Sequence, residues 1–210
     1  MRRPWLVAAA LLALWGGWSW WRTRPLHPPP GVLAPDDPVQ APLDAPLATI
    51  RTGDFTLTPR ARFDLVARVL STERYRFDAG AALVPEDFAL GWGRMSDSAV
   101  LRTVDISQAG RFYHWSVQAF PIPRREIETH SANMHLIPAD AGVRRALGRV
   151  RVGQLVALDG YLVDADRADG WHWRTSLTRD DTGAGACELF YVTSATTPAA
   201  QDTPLPPGSQ

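Results

Sequence analysis

The sequence predicts a mainly β, α+β fold: a small OB-like or SH3-like barrel-type domain with two short helices, behind one N-terminal transmembrane helix. Three observations carry this. Phe63, Leu65, Ala67 and Val69 alternate with Asp64, Val66, Arg68 and Leu70, the period-two pattern of a strand with one buried face. Arg149 to Val163 runs from a short turn into alternating hydrophobics broken by Gly160, and a glycine inside a strand permits the sharp bend by which strands turn a barrel corner. Trp5 to Trp21 carries no charge and is flanked by Arg2, Arg3, Arg22 and Arg24, as a membrane segment requires.

The N-terminal segment comes first in the chain. Leu6 to Leu14 is purely apolar, and Trp15, Trp18, Trp20 and Trp21 follow. An indole ring is apolar while its N–H wants a partner, so tryptophan gathers at the membrane–water interface. A cleaved signal peptide needs small residues at the −3 and −1 positions. Only Gly17 and Ser19 offer them, between bulky tryptophans, which favours an uncleaved anchor over residues 1–24. A short N-terminus stays cytoplasmic by default. The expectation is a single-pass protein of a bacterial inner membrane, with the lipid bilayer as its first partner and its domain in the periplasm.

Residues 25–47 hold eight prolines, Pro25, Pro28, Pro29, Pro30, Pro35, Pro38, Pro42 and Pro46. Proline lacks an N–H and fixes φ, so this stretch reads as an extended, semi-rigid spacer. Residues 48–196 are the globular domain, and the polar tail 197–210 is expected to be disordered.

Within the domain, further strands are expected at Arg111 to Val117, Glu126 to Thr129, Gly153 to Asp164, Trp171 to Thr178 and Cys187 to Thr193. Pro85-Glu86-Asp87 reads as the start of a short helix, with proline in the first turn and acids at the positive dipole end. Pro138-Ala139-Asp140 reads as a second helix start, running to Leu147 and stopped by Gly148. Ser96 to Ile106 fits either helix or strand. Asp164, Asp166 and Asp169 lack the spacing and closing Glu of a calcium loop and read as a hairpin turn.

Composition narrows the function. The window 48–196 holds eighteen arginines, the 22 of the chain less Arg2, Arg3, Arg22 and Arg24, against eighteen acids, the 22 less Asp36, Asp37, Asp44 and Asp202. That balance argues against nucleic acid as a partner, since neutralising phosphates calls for a basic excess. The single cysteine, Cys187, excludes an intrachain disulfide and cysteine-rich metal or redox centres. No serine elbow, phosphate-binding loop or dinucleotide fingerprint occurs, and no cofactor is implied.

The most concentrated polar stretch, Trp173 to Gly183, runs from a strand into a glycine-bearing loop, where barrels carry binding groups. Trp115, Trp171, Trp173, Arg174, Thr175, Ser176, Thr178 and Arg179 are therefore the candidate ligand-binding residues, forming a groove for a peptide or a sugar. The alternative is a small envelope hydrolase or metal-dependent enzyme using His114, His130, His135 or Cys187. His130 and His135 are five apart, so a helix would turn them to different sides. Only a loop would bring them together with His114.

Four phrases carry a resemblance: Phe63 to Leu70, Leu90 to Asp97, Ser131 to Ala139, and Thr175 to Arg179 with Gly185 to Glu188. Together they resemble an uncharacterised family of bacterial membrane-associated or exported proteins. The resemblance implies a location and no catalytic residues. The expected function is a membrane-tethered, non-enzymatic binding or assembly module of the cell envelope, with an envelope protein as partner.

Overall fold

The computed structural model describes residues 4–178 and 188–198, with the side chains of residues 4–8, 10, 19, 22 and 23 excepted. Arg179, Cys187 and the tail from residue 199 lie outside the described residues. The fold is mainly β with a few short helices.

Helix α1 spans Pro4–Thr23. It is helical where the anchor is expected, but its apolarity falls short: among the described residues no helix is long and apolar enough to cross a membrane. The reason is visible in its second half, where Gly16, Gly17 and four tryptophans replace the aliphatic run of Leu6 to Leu14.

Residues beyond α1 are extended, as eight prolines require, yet they are bound to the domain rather than free of it. The Leu26 amide donates to the Val152 carbonyl at 2.8 Å, and the Gly93 amide to the Ala34 carbonyl at 2.8 Å. Ser96 Oγ accepts the amides of Leu33 and Ala34, each at 3.0 Å. Ala34 joins the main core, and Val39–Pro42 forms strand β1 on the edge of the sheet. Proline tolerates an edge strand because only one side of its backbone needs partners.

A hairpin follows, β2 (Ile50–Thr52) and β3 (Phe55–Arg74). Strand β3 is the spine of the molecule. Its first part pairs with β8 (Leu155–Arg167) over residues 55–68, and its last part pairs with β4 (Glu86–Gly91) over residues 68–74. Strand β4 pairs with β7 (Ser131–Pro138), β7 runs parallel to β10 (Glu188–Thr196), and β10 returns to β8. The short strand β9 (His172–Trp173) pairs antiparallel with the end of β8. The alternation read from the sequence is obeyed: Phe63, Leu65, Ala67 and Val69 join the main core with Phe88, Leu90, Met134, Leu136, Leu158, Leu162, Phe190 and Val192. Phe63 and Phe190 meet edge to face at its centre, centroids 5.2 Å apart.

The helices are short. A 3-10 turn, Gly93–Ser96, leads into α2 (Ser98–Leu101), capped by the Asp97 carboxylate on the Ala99 amide. Strands β5 (Asp105–Ala109) and β6 (Phe112–Ser116) make a separate hairpin. Helix α3 (Arg124–Thr129) follows, and α4 (Ala141–Leu147) buries Val143 and Leu147 against the main core.

Three element expectations are corrected. The strand expected over Trp171 to Thr178 is confined to His172–Trp173. Pro85-Glu86-Asp87 opens strand β4, because the alternation of Phe88 and Leu90 into the core outweighs the helix-start signal of two acids after a proline. Glu126 to Thr129 is helical, with Pro123 at the cap position and an Arg124–Glu128 pair at 2.7 Å across one turn. Ser96 to Ile106 divides between 3-10 turn, α2 and the start of β5.

Candidate functional site

Asp87 on β4 and His135 on β7 are direct cross-strand partners, on the face of the sheet away from the main core. Both side chains are fully buried. His135 Nδ1 lies 2.9 Å from Asp87 Oδ1, close enough for an ion pair but off the axis of a hydrogen bond, and neither ring nitrogen has a hydrogen-bond partner among the described residues. Asp87 Oδ2 has none either.

Arg111 reaches this pair from the tip of the β5–β6 hairpin. Gly110 and Arg111 are the two turn residues, with φ of +58° and +74°, the positive pair that a two-residue type I′ turn needs. A non-glycine residue there is strained by about 1 kcal/mol, and the surroundings hold it. The Arg111 amide donates to Tyr75 Oη at 3.0 Å, and its carbonyl accepts Asn133 Nδ2 at 3.0 Å. The guanidinium pairs with Asp87 Oδ1 at 3.0 Å and with both oxygens of Asp78 at 2.9 Å. It also lies 3.6 Å above the Tyr75 ring. Burial, together with the Asp87 charge, pushes the Tyr75 hydroxyl up to about 12 against the opposing pull of Arg111.

Trp173 closes the cluster. Its ring packs 4.5 Å from the His135 ring and meets Trp171 edge to face at 6.1 Å. Arg167 spans the outer side, over Phe55 and Trp171. A side chain at Gly80 would press on Trp173 and Asp78, so the 75–85 loop passes close beneath the indole.

The residues expected from the sequence divide into three groups. Trp171 and Trp173 belong to the cluster. Arg174, Thr175, Ser176 and Thr178 lie outside it and make contacts of their own: Arg174 binds Asp166 at 2.6 Å, the Thr175 amide donates to Asp164 at 3.1 Å, Thr175 Oγ1 accepts the Leu189 amide at 3.1 Å, and Ser176 Oγ accepts the Thr178 amide at 3.1 Å. Trp115 lies in a different cluster, against Phe120 and the α2–α3 layer. The histidines keep separate company. His114 is exposed beside Phe112, His130 sits between Trp92 and Asp37, and His135 is in the cluster. No group of three His, Cys, Asp or Glu that could hold a metal ion occurs among the described residues.

Asp87, Arg111, Tyr75 and Asp78 were not legible as site residues. The usable signal was Gly110-Arg111 between two strand-like stretches, a hairpin tip ending in a long cation. The arrangement combines a buried, hydrogen-bond-poor acid–imidazole pair, a clamped guanidinium and a two-tryptophan wall. Comparison with protein-family models, with curated proteins and with solved structures finds no match.

Proposed function

We propose that the chain is a membrane-tethered, non-enzymatic binding or assembly module of the bacterial cell envelope, with an OB-like barrel held on the periplasmic side by α1. The observation that carries the reading is where the Asp87–His135–Arg111–Trp173 cluster falls in the strand pairing. Strands β3, β4, β7, β8 and β10 form a ring of pairings, with β7 parallel to β10 and α4 between β7 and β8. In an OB barrel the face of the second and third strands, flanked by the first and last interstrand loops, takes the ligand. Here those strands are β4 and β7, and the loops are 75–85 and the one after β8. Asp87 and His135 sit on that face and Trp173 in the loop after β8, while Arg111 reaches in from the β5–β6 hairpin that the chain inserts between the two strands; beside them Phe77 stands 98 % exposed. Aromatic residues and arginine are what protein interfaces concentrate.

The tether reading is supported by the tryptophan-rich end of α1 and by the entry of the chain into the domain. Leu26, three residues past Thr23, is already hydrogen-bonded to Val152, and Trp21 lines a hollow with Arg149, Arg151 and Thr197. The proline-rich segment therefore sets the domain close against the end of α1.

Affinity isolation of the full chain from envelope membranes tests the reading. A single envelope protein recovered with wild type, and with an Arg124→Ala surface control, is expected to be lost with Trp173→Ala. Equal recovery with Trp173→Ala overturns the assigned face.

A further inference from the structure

Arg68 and Leu70 lie on the outer side of β3, covered by the 3-10 turn, α2 and the strap of residues 25–34. Beside them is a cleft of about 360 Å³. Leu70, Leu101, Val104 and Ile106 form its apolar wall, and Leu26 to Pro28 line its strap side. Pro25, two residues past the end of α1, lines it too, so the cleft sits at the end of the domain where the chain leaves the helix.

The cleft holds one buried cation. Arg68 is 7 % exposed. Its Nη1 donates to the Ser96 carbonyl at 3.0 Å and to Ser98 Oγ at 2.7 Å, and its Nε has no partner among the described residues. Asp97 is its acidic neighbour, and Asp97 Oδ1 is committed to the amides of Gly31 and Ala99. Burial accordingly holds the Arg68 guanidinium below its ordinary value. A buried charge whose acidic neighbour is engaged elsewhere is incompletely compensated, and an anion beside it relieves that cost. An apolar hollow of this size with one convergent charge is the usual form of a small-molecule site. Arg102, exposed on the rim, adds a second positive charge.

We infer that this cleft binds a single-chain anionic amphiphile, its acyl chain along Leu70, Leu101, Val104 and Ile106 and its carboxylate or phosphate head at the Arg68 guanidinium. The site is separate from the β4–β7 face and does not depend on the reading given to that face. The roof is coupled to the head site, because Ser98 Oγ, which accepts from Arg68, donates to the Pro28 carbonyl at 2.8 Å. An occupied cleft would therefore steady the strap as well as the cation.

The test uses the full chain in phosphatidylcholine nanodiscs and dodecanoate labelled with ¹³C at the carboxyl carbon, against empty nanodiscs. A saturable bound resonance, distinct from lipid-dissolved dodecanoate, is expected. Dodecanol should compete about tenfold or more weakly, and acetate and inorganic phosphate should not compete. Arg68→Met should weaken binding by about tenfold or more, Leu101→Trp should abolish it by filling the cleft, and Arg124→Met should leave it unchanged. Absence of a saturable site in wild type overturns the inference. So does equal competition by dodecanol, which would make the cleft merely apolar, or by acetate or phosphate, which would make it a small-anion site. If Arg68→Met fails to fold, the dodecanol comparison on wild type and the Leu101→Trp variant still decide it.

Discussion

Asp87 and His135 face each other across strands β4 and β7 with both side chains fully buried, and the only cation hydrogen-bonded to that pair among the described residues is Arg111 from the tip of a separate hairpin. One side chain therefore fastens the β5–β6 hairpin to the sheet and neutralises a buried acid. Removing one partner of a buried pair leaves the other uncompensated. Arg111→Ala should destabilise the protein by about 3 kcal/mol, the low end for such pairs because Asp78 is partly exposed. Urea unfolding of the full chain in mild detergent measures this.

The backbone at the same position gives a second, separable expectation. Arg111 holds a φ of +74°, which glycine adopts without strain. Arg111→Gly should therefore unfold later than Arg111→Ala by about 1 kcal/mol, although both lose the guanidinium. Equal stabilities would show that the turn relaxes in the variants.

The strap offers a test by hydrogen exchange. Ser96 Oγ accepts two backbone amides, and a side chain at Gly153, whose φ is +90°, would collide with the Leu26 carbonyl. Ser96→Ala leaves two amides unsatisfied, at about 1–3 kcal/mol each. Both Ser96→Ala and Gly153→Ala should speed exchange at Leu26, Leu33 and Ala34 while the amides of β7 and β10 stay protected.

Acid should loosen the same strap. The amides of Gly31 and Ala99 hold the Asp97 carboxyl below its ordinary value of 3.8. A depressed carboxyl contributes stability that is fully present above its unfolded value and is lost as pH falls through the folded one. Exchange protection at Gly31 should therefore hold above about pH 4 and decline below it. Asp97→Asn should flatten that pH dependence.

Much of the fold was legible. The β3 alternation places Phe63, Leu65, Ala67 and Val69 in the main core as read, although Arg68 and Leu70 on the other face are buried as well, and Gly160 marks a position where any side chain would collide with the Tyr191 carbonyl. Helix α4 begins where Asp140 caps the amides of Gly142 and Val143, at 2.6 and 2.9 Å. Strand β4 was misread because two acids after a proline imitate a helix start, while Asp87 is an acid facing a buried cluster. The strap was misread because prolines report extended backbone and say nothing about what that backbone touches. The cluster was half legible: Trp171 and Trp173 are local in sequence, whereas Asp87, Arg111 and His135 meet only through strand register and a hairpin tip.

Site-specific photo-crosslinking in the intact envelope tests the assigned face most directly. A photoreactive residue in place of Phe77, at the loop beside the cluster, is expected to trap one discrete envelope protein, and that adduct should vanish when Trp173→Ala or Arg111→Ala is added. The same residue in place of Phe120, which is exposed on the other cluster, should trap nothing comparable. Equal trapping from both positions, or an adduct from Phe77 that survives both substitutions, would contradict a binding face on β4 and β7.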